Sequence, residues 1–363
     1  MAQTPVSHNP TQNPDPQKDG TSEDDITHPQ EEQTLLLGNS FTDTQSPVLW
    51  DIAGAQIVRT FQGFNVLIPP NSVAISPDGR YAAAIGGILG TNTTNLVVWN
   101  LESGVIACQI DKYQVVIRSL AFSPDSHFLL AGSQATGGQK GGQELILWDV
   151  SSCSLVRHFE MNEDEDVTGI VFSSDGKWAA TGTAYYKRII LWDVNTGHEI
   201  RSFSYQDYKN MIPIFDLVFG PDDRTILAPG PGLLCLWDVQ TGKIIRRYYG
   251  HTAFVWSVDI SPDGKYILFS SDNGEVFLWD FSTSELLYRL PAHTQPVMSA
   301  EFSPDGKYAY SISTDGLLTR WKIPVQTLPE LLDWTQANRY ERLLTCEERL
   351  RYRVEPFCEQ GNP

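Results

Sequence analysis

The sequence contains no long apolar run. No stretch approaches the roughly 18 residues that a membrane-spanning helix needs, and no charged segment followed by an apolar one opens the chain. A cytoplasmic setting is therefore expected, with the Asn92-Thr93-Thr94 sequon unglycosylated. Cysteine is scarce. Cys108, Cys153, Cys235, Cys346 and Cys358 are odd in number, widely spaced and without a CxxC, so reduced thiols are the expectation. Cys235 sits in an apolar strand and reads as a small core residue, and no ligand-like histidine accompanies Cys346 and Cys358. Basic residues are also few: 26 Lys and Arg stand against 44 Asp and Glu, a net charge of −18. A general nucleic-acid or anionic-membrane surface needs clustered cations, so neither is an expected partner. Residues 1–33 hold no aromatic side chain and are rich in Pro, Gln, Asn, Asp and Glu. Such a segment cannot bury enough apolar surface to offset its ordering entropy, and it is read as a disordered acidic tail.

The remainder is rich in what the tail lacks. The whole chain is 41 % hydrophobic and 11 % aromatic, enough for a sizeable core. Gly250 to Asp280 shows how that material is laid out: GHTAFVWSVDISPDGKYILFSSDNGEVFLWD. Three short apolar runs are separated by Asp-Gly and Asn-Gly, the pairs that supply the positive φ a hairpin needs. The unit recurs. Strand-ending tryptophans stand at Trp50, Trp99, Trp148, Trp192, Trp237, Trp279 and Trp321, at intervals of 49, 49, 44, 45, 42 and 42 residues. Asp follows five of them; Asn100 and Lys322 follow the other two. Between them lie six turns of SPDG type, beginning at Ser76, Ser123, Ser173, Gly220, Ser261 and Ser303. A fourth strand follows most of the Trp-Asp pairs, as in the stretch after Thr241.

Four strands per repeat at this period resemble the WD-repeat (WD40) β-propeller family. The resemblance covers about residues 34–325 and implies an all-β ring of four-stranded antiparallel blades used as a rigid interaction platform. Trp50 has one strand before it and no SPDG turn, which leaves two arrangements open: seven blades, or six with a partial N-terminal extension. Residues 326–363 depart from the repeat. Leu331, Leu332, Trp334 and Tyr340 suggest a short amphipathic helix, and Thr345 with Glu348 forms a capping box for a second. This tail loosely resembles the ends of some bacterial WD-repeat proteins and is read as packing on or closing the ring.

The resemblance also implies a buried tetrad of His, Ser or Thr, Asp and Trp. In the last repeat this is His293, Ser311 or Ser313, Asp315 and Trp321; in the preceding one it is His251, Ser270 or Ser271, Asn273 and Trp279. These positions are structural, and no oxyanion element stands beside them, so a hydrolase is not inferred. The glycines around Lys140 lack the Gly-Lys-Ser/Thr of a phosphate loop. The run Glu163 to Asp166 lacks the spaced ligands and turn glycine of a calcium loop. Neither a cofactor, a metal site nor a catalytic residue is assigned.

The family's partners most often meet the loop-bearing face, where each first strand begins. Carried over, that places Arg118, Asp166, Phe215, Phe254, Trp256 and Met298 at the rim. Aromatic and Met side chains gather on one arc, the types enriched at binding hot spots. The expectation is a non-catalytic scaffold for a protein or peptide, with basic-hydrophobic segments as ligands. The alternative is a propeller enzyme or small-molecule binder that uses the central channel.

Overall fold

The structure is a computed structural model. It describes residues 34–37, 47–51, 56–61, 73–87, 94–113, 116–134, 144–161, 166–184, 188–205, 213–230, 232–249, 254–291 and 293–323. The acidic tail, the C-terminal segment, the acidic residues 163–165, the loop around Lys140 and His251 lie outside them. The chain divides into two compact units, Met1–Gln33 and Thr34–Pro363, and every described strand belongs to the second.

Turn chemistry explains the local structure. In the SPDG turns the serine hydroxyl donates to the aspartate two residues on, at 2.6 Å for Ser76 to Asp78 and for Ser303 to Asp305. The same hydroxyl accepts the N–H that opens the next strand, as Tyr81 and Tyr308 show at 2.8 and 2.9 Å. The Asp that follows each tryptophan makes the complementary turn. Asp149, Asp193, Asp238 and Asp280 each accept the N–H three residues ahead at 2.6–2.8 Å. Asn100 does the same to Ser103 at 2.8 Å, so an amide replaces the carboxylate without loss of the turn. The Ser152 N–H and the hydroxyls of Ser151 and Ser152 hold the Asp149 carboxyl down at about 2.

These turns fold the described residues into seven antiparallel sheets. Sheet 1 is Thr34–Leu37, Val48–Asp51 and Gln56–Thr60. Sheet 2 is Val73–Ile75, Tyr81–Gly87, Thr94–Asn100 and Ile106–Tyr113; sheet 3 is Val116–Phe122, Phe128–Gln134, Leu145–Asp149 and Ser154–His158. Sheet 4 is Val167–Phe172, Trp178–Thr183, Arg188–Asp193 and Glu199–Ser204; sheet 5 is Val218–Phe219, Thr225–Gly230, Leu233–Asp238 and Ile244–Tyr249. Sheet 6 is Val255–Ile260, Tyr266–Ser271, Glu275–Asp280 and Leu286–Pro291, and sheet 7 is Val297–Phe302, Tyr308–Ser313 and Leu318–Lys322. Sheets 1 and 7 thus have three described strands each and the other five have four.

Among the described residues the buried apolar side chains form seven clusters, and each spans two neighbouring sheets. Leu49 and Phe61 meet Ala82, Ala84 and Trp99 across sheets 1 and 2. Corresponding clusters follow between each next pair up to sheets 6 and 7. The seventh brings Val48 of sheet 1 against Ile312 of sheet 7, with Met298 and Leu318 packed on it. The sheets therefore close into a ring. The recurring tryptophan is the wedge between them: an aromatic from the end of one sheet packs on the tryptophan of the next. Phe61–Trp99, Phe159–Trp192, Phe203–Trp237 and Tyr248–Trp279 have centroids 5.0, 5.7, 5.8 and 6.0 Å apart. First strands of successive sheets lie side by side, from Val73–Ile75 round to Val297–Phe302, and make the inner circle; the three described strands of sheet 1 correspond to the second, third and fourth.

Candidate interaction face and inner circle

A first strand pairs on one side only, so some of its N–H groups would be left unpaired. Side chains from the preceding sheet supply acceptors. Asp216, just before sheet 5, accepts the Val258 N–H of sheet 6 at 3.0 Å and its own neighbour's, Leu217, at 2.9 Å. Ser257 accepts from Ala300 at 2.7 Å. Asp259 accepts from Phe302 at 2.8 Å and from Ile260 at 2.8 Å. Between sheets 4 and 5 the direction reverses, with the Thr168 hydroxyl donating to the Ile214 carbonyl at 2.7 Å.

Asp216 and Asp259 place ionisable carboxyls in a crowded setting. Burial among the inner strands pushes Asp216 up to about 8 against the pull of its two N–H donors, and the charges of Glu301 and Asp259 add to the rise. Burial likewise pushes Asp259 up to about 7, with Glu301 adding to it. The sequence carries a signal for two of these three: Asp259 and Glu301 both stand two residues before an SPDG serine. Sequence reasoning passed over them.

At the start of the same strands the side chains are aromatic. Phe215, Phe254 and Trp256 form a closed trio with centroids 5.4, 5.1 and 5.0 Å apart. Each ring is half-buried, so the trio presents part of its surface to solvent. The Trp256 indole nitrogen is buried and has no hydrogen-bond partner among the described residues. Met298, expected on the same arc, is packed instead against the Val48–Ile312 cluster that closes the ring. Arg118 is half-buried in the first strand of sheet 3, and Asp166, 8 % exposed, immediately precedes that of sheet 4.

The tetrad of the last repeat is formed. Trp321 Nε1 donates to Ser311 Oγ at 3.1 Å, Ser311 Oγ lies 2.9 Å from His293 Nε2, and His293 Nδ1 faces Asp315 at 3.3 Å. Of the two serines named for it, Ser311 makes the link; Ser313 donates to the Gln295 carbonyl. The preceding repeat differs. The position matching Ser311, eight residues after the first residue of the turn, is Phe269, which stacks on Phe277 at 4.6 Å. Ser270 instead pairs with Ser257 at 2.9 Å, and Ser271 donates to Asn273. Neither is the acceptor expected for Trp279, whose indole nitrogen is buried without a partner among the described residues. In sheet 4 the position is Thr181, and Trp192 Nε1 donates to it at 2.9 Å. In sheet 5 it is Ala228, and Trp237 Nε1 has no partner.

One expectation is overturned. Cys108 and Cys153 are joined by a disulfide across a separation of 45 residues, where reduced thiols were expected. The two belong to adjacent sheets, so spacing alone did not suggest the pair. Cys235 is free and buried as expected, and burial pushes its thiol up to about 12.

Comparison with known proteins agrees with the ring. The family model described as WD domain, G-beta repeat matches residues 109–137, 153–193, 242–280 and 284–322. The chain is similar to Autophagy-related protein 16 of Arabidopsis thaliana, 28 % identical over 48 % of this chain and 32 % of that one. It is similar to Small ribosomal subunit protein RACK1y of Oryza sativa subsp. japonica, 38 % identical over 39 % of this chain and 38 % of that one. It is also similar to Target of rapamycin complex subunit wat1 of Schizosaccharomyces pombe, 24 % identical over 49 % of this chain and 54 % of that one. In each case the chain spans only about a third to a half of the relative's length. Repeats, turns, wedging tryptophans and a closed ring of sheets lead to one conclusion: the chain carries WD-repeat (WD40) units arranged as a β-propeller.

Proposed function

We propose that this propeller is a non-catalytic scaffold that binds a protein or peptide at the rim of its inner circle. The observation that carries the reading is the Phe215–Phe254–Trp256 trio. Three aromatic rings held within 5.4 Å of one another and partly open to solvent make a pre-formed apolar anchor site. The net charge of −18 favours segments that combine basic and apolar residues. Two relatives carry names of assemblies, a small ribosomal subunit and a target of rapamycin complex, which accords with a scaffold.

The second reading uses the central channel, and Asp216, Asp259 and Glu301 are the residues that favour it. Asp216 and Asp259 already accept two backbone N–H groups each, a structural task that accounts for their presence. The scaffold reading is tested by quantitative affinity enrichment with wild type, Phe254→Ala and Trp256→Ala. Folding of each variant is verified by near-UV circular dichroism. Loss of an anchor is expected to weaken a specific partner by about 2 kcal/mol, or roughly thirtyfold. Ile245→Ala, exposed on an outer strand, serves as the control that leaves binding unchanged. Retention of every specific partner by both folded trio variants would rule the anchor out.

A further inference from the structure

Four pairs of successive sheets share one device at their outer edges. On the fourth strand, the residue paired with the position before the tryptophan is Arg59, Arg157, Arg201 and Arg246 in sheets 1, 3, 4 and 5. Each arginine crosses to the turn after the third strand of the next sheet. Arg59 donates to the Glu102 carbonyl at 3.3 Å, Arg157 to Thr196 at 3.2 Å, and Arg246 to Phe281. Arg201 lies across Gly242, where an added Cβ would meet its Cδ at 3.2 Å. The receiving turn ends on a left-handed residue four positions after the Asp or Asn that follows the tryptophan. That residue is Gly104, Gly197 or Gly242 at φ of +74°, +76° and +71°, and Ser284 at +62° in sheet 6. Glycine there suits the backbone and makes room for the arginine stem.

Between sheets 2 and 3 both halves of the device are changed together. Cys108 occupies the arginine's register position, opposite Val98. Cys153 occupies the glycine's position at φ +53°, a conformation that side-chain-bearing residues avoid. Their Cα atoms are 5.2 Å apart and their sulfurs are bonded. A cysteine held in a left-handed turn, facing a cysteine where sheets 1, 3, 4 and 5 have arginine and sheet 6 has Tyr288, is accounted for by the bond between them.

We propose that Cys108 and Cys153 form a redox-controlled tie between sheets 2 and 3, closed as the disulfide and opened by a thiol reductant such as glutathione or a protein dithiol. Cys153 is half-buried and Cys108 is 4 % exposed, so the reductant thiolate attacks the Cys153 sulfur. The S–S bond breaks and the Cys108 thiolate leaves. A second thiolate releases Cys153 from the mixed disulfide. Two electrons and two protons pass to the protein, and the reductant becomes a disulfide. The opened state keeps the apolar cluster beneath, including Ile117, Leu120 and Leu129, so the ring stays shut while its edge at this joint loosens. No arginine–turn bond stands in reserve, because both of its positions are cysteine.

The test is amide exchange on the full chain, equilibrated with oxidised or with reduced glutathione. Reduction is expected to speed exchange about tenfold in Ile106–Tyr113 and Ser154–His158 through local opening. Exchange in Glu199–Ser204 and Ile244–Tyr249, at arginine ties, is expected to stay unchanged. The double variant Cys108→Arg/Cys153→Gly rebuilds the arginine tie and is expected to be slow in both conditions. Cys108→Ser/Cys153→Ser is expected to be fast in both, and it serves even if the first variant does not fold. Equal exchange in the two redox states would overturn the proposal. So would alkylation of both cysteines in the oxidised native protein, or an equal acceleration at the arginine ties.

Discussion

Ser311→Ala isolates one oxygen whose neighbours are known. Asp315 takes the proton on His293 Nδ1, which leaves Nε2 to accept from the Ser311 hydroxyl, while the Ser311 oxygen accepts from Trp321. The His293 side chain is wholly buried and Ser311 is 1 % exposed. Removing the hydroxyl strands one donor, the Trp321 N–H, and one acceptor, His293 Nε2, and leaves almost no cavity. An unsatisfied buried group costs about 1–3 kcal/mol, and Trp321 is half-buried, so the expected loss is about 2–4 kcal/mol. Urea unfolding followed by tryptophan fluorescence measures it, with the midpoint falling at an unchanged slope. Ser311→Thr should recover most of the loss, because Thr181 does this work in sheet 4. The converse substitution, Ala228→Ser, offers an acceptor to the unpartnered Trp237 and should stabilise by about 1 kcal/mol. A cost below about 0.5 kcal/mol for Ser311→Ala, the size of an ordinary surface change, would refute the account.

Other outcomes follow from the inner circle and the turns. Asp216 and Asp259 hold protons more tightly folded, at about 8 and about 7, than at their ordinary 3.8. Their stabilising contribution is therefore complete below about pH 4 and is lost as pH rises towards 8, by about 1–2 kcal/mol once solvent screening is allowed for. Denaturation midpoints from pH 5 to 9 should show this decline. Glu301 raises both groups, so Glu301→Gln should be more stable than wild type at pH 8, with the gap closing near pH 5; a gap independent of pH would count against the coupling. Gly197→Ala places a Cβ 2.9 Å from Arg157 Cδ and 3.0 Å from the His158 carbonyl at φ +76°, and should lower stability by about 1–2 kcal/mol in the same urea assay.

The turns were legible in the sequence because their chemistry is local. Ser76 and Asp78, or Asp193 and Thr196, meet within a few residues whatever the rest of the chain does. Features that depend on strand register were harder to read. Ser270 and Ser271 are near enough to look like the tetrad serine, yet a one-residue slip turns a side chain to the other face, and Phe269 holds the position. Phe215, Phe254 and Trp256 came together because matching repeat positions on neighbouring sheets are neighbours in space. Met298, at the matching position of sheet 7, packs on a cluster that includes Val48, a residue from the other end of the described ring. The Cys108–Cys153 pair needed comparison of repeats one with another, since its only signal is an Arg and a Gly that are both missing.

The joint between sheets 7 and 1 also bears on how the ring assembles. Six of the seven apolar clusters join segments that follow one another along the chain, so each can form by short-range collapse. The remaining one must bring Val48 to Ile312, and among the described residues its buried members are these two alone. Loop-closure entropy must be overcome before such a contact gives anything back. The expected order is a string of sheets that forms progressively, as repeat arrays do, and a separate slow closing step at the end. Val48→Ala should retard that step in stopped-flow refolding while leaving the early phases at their wild-type rates.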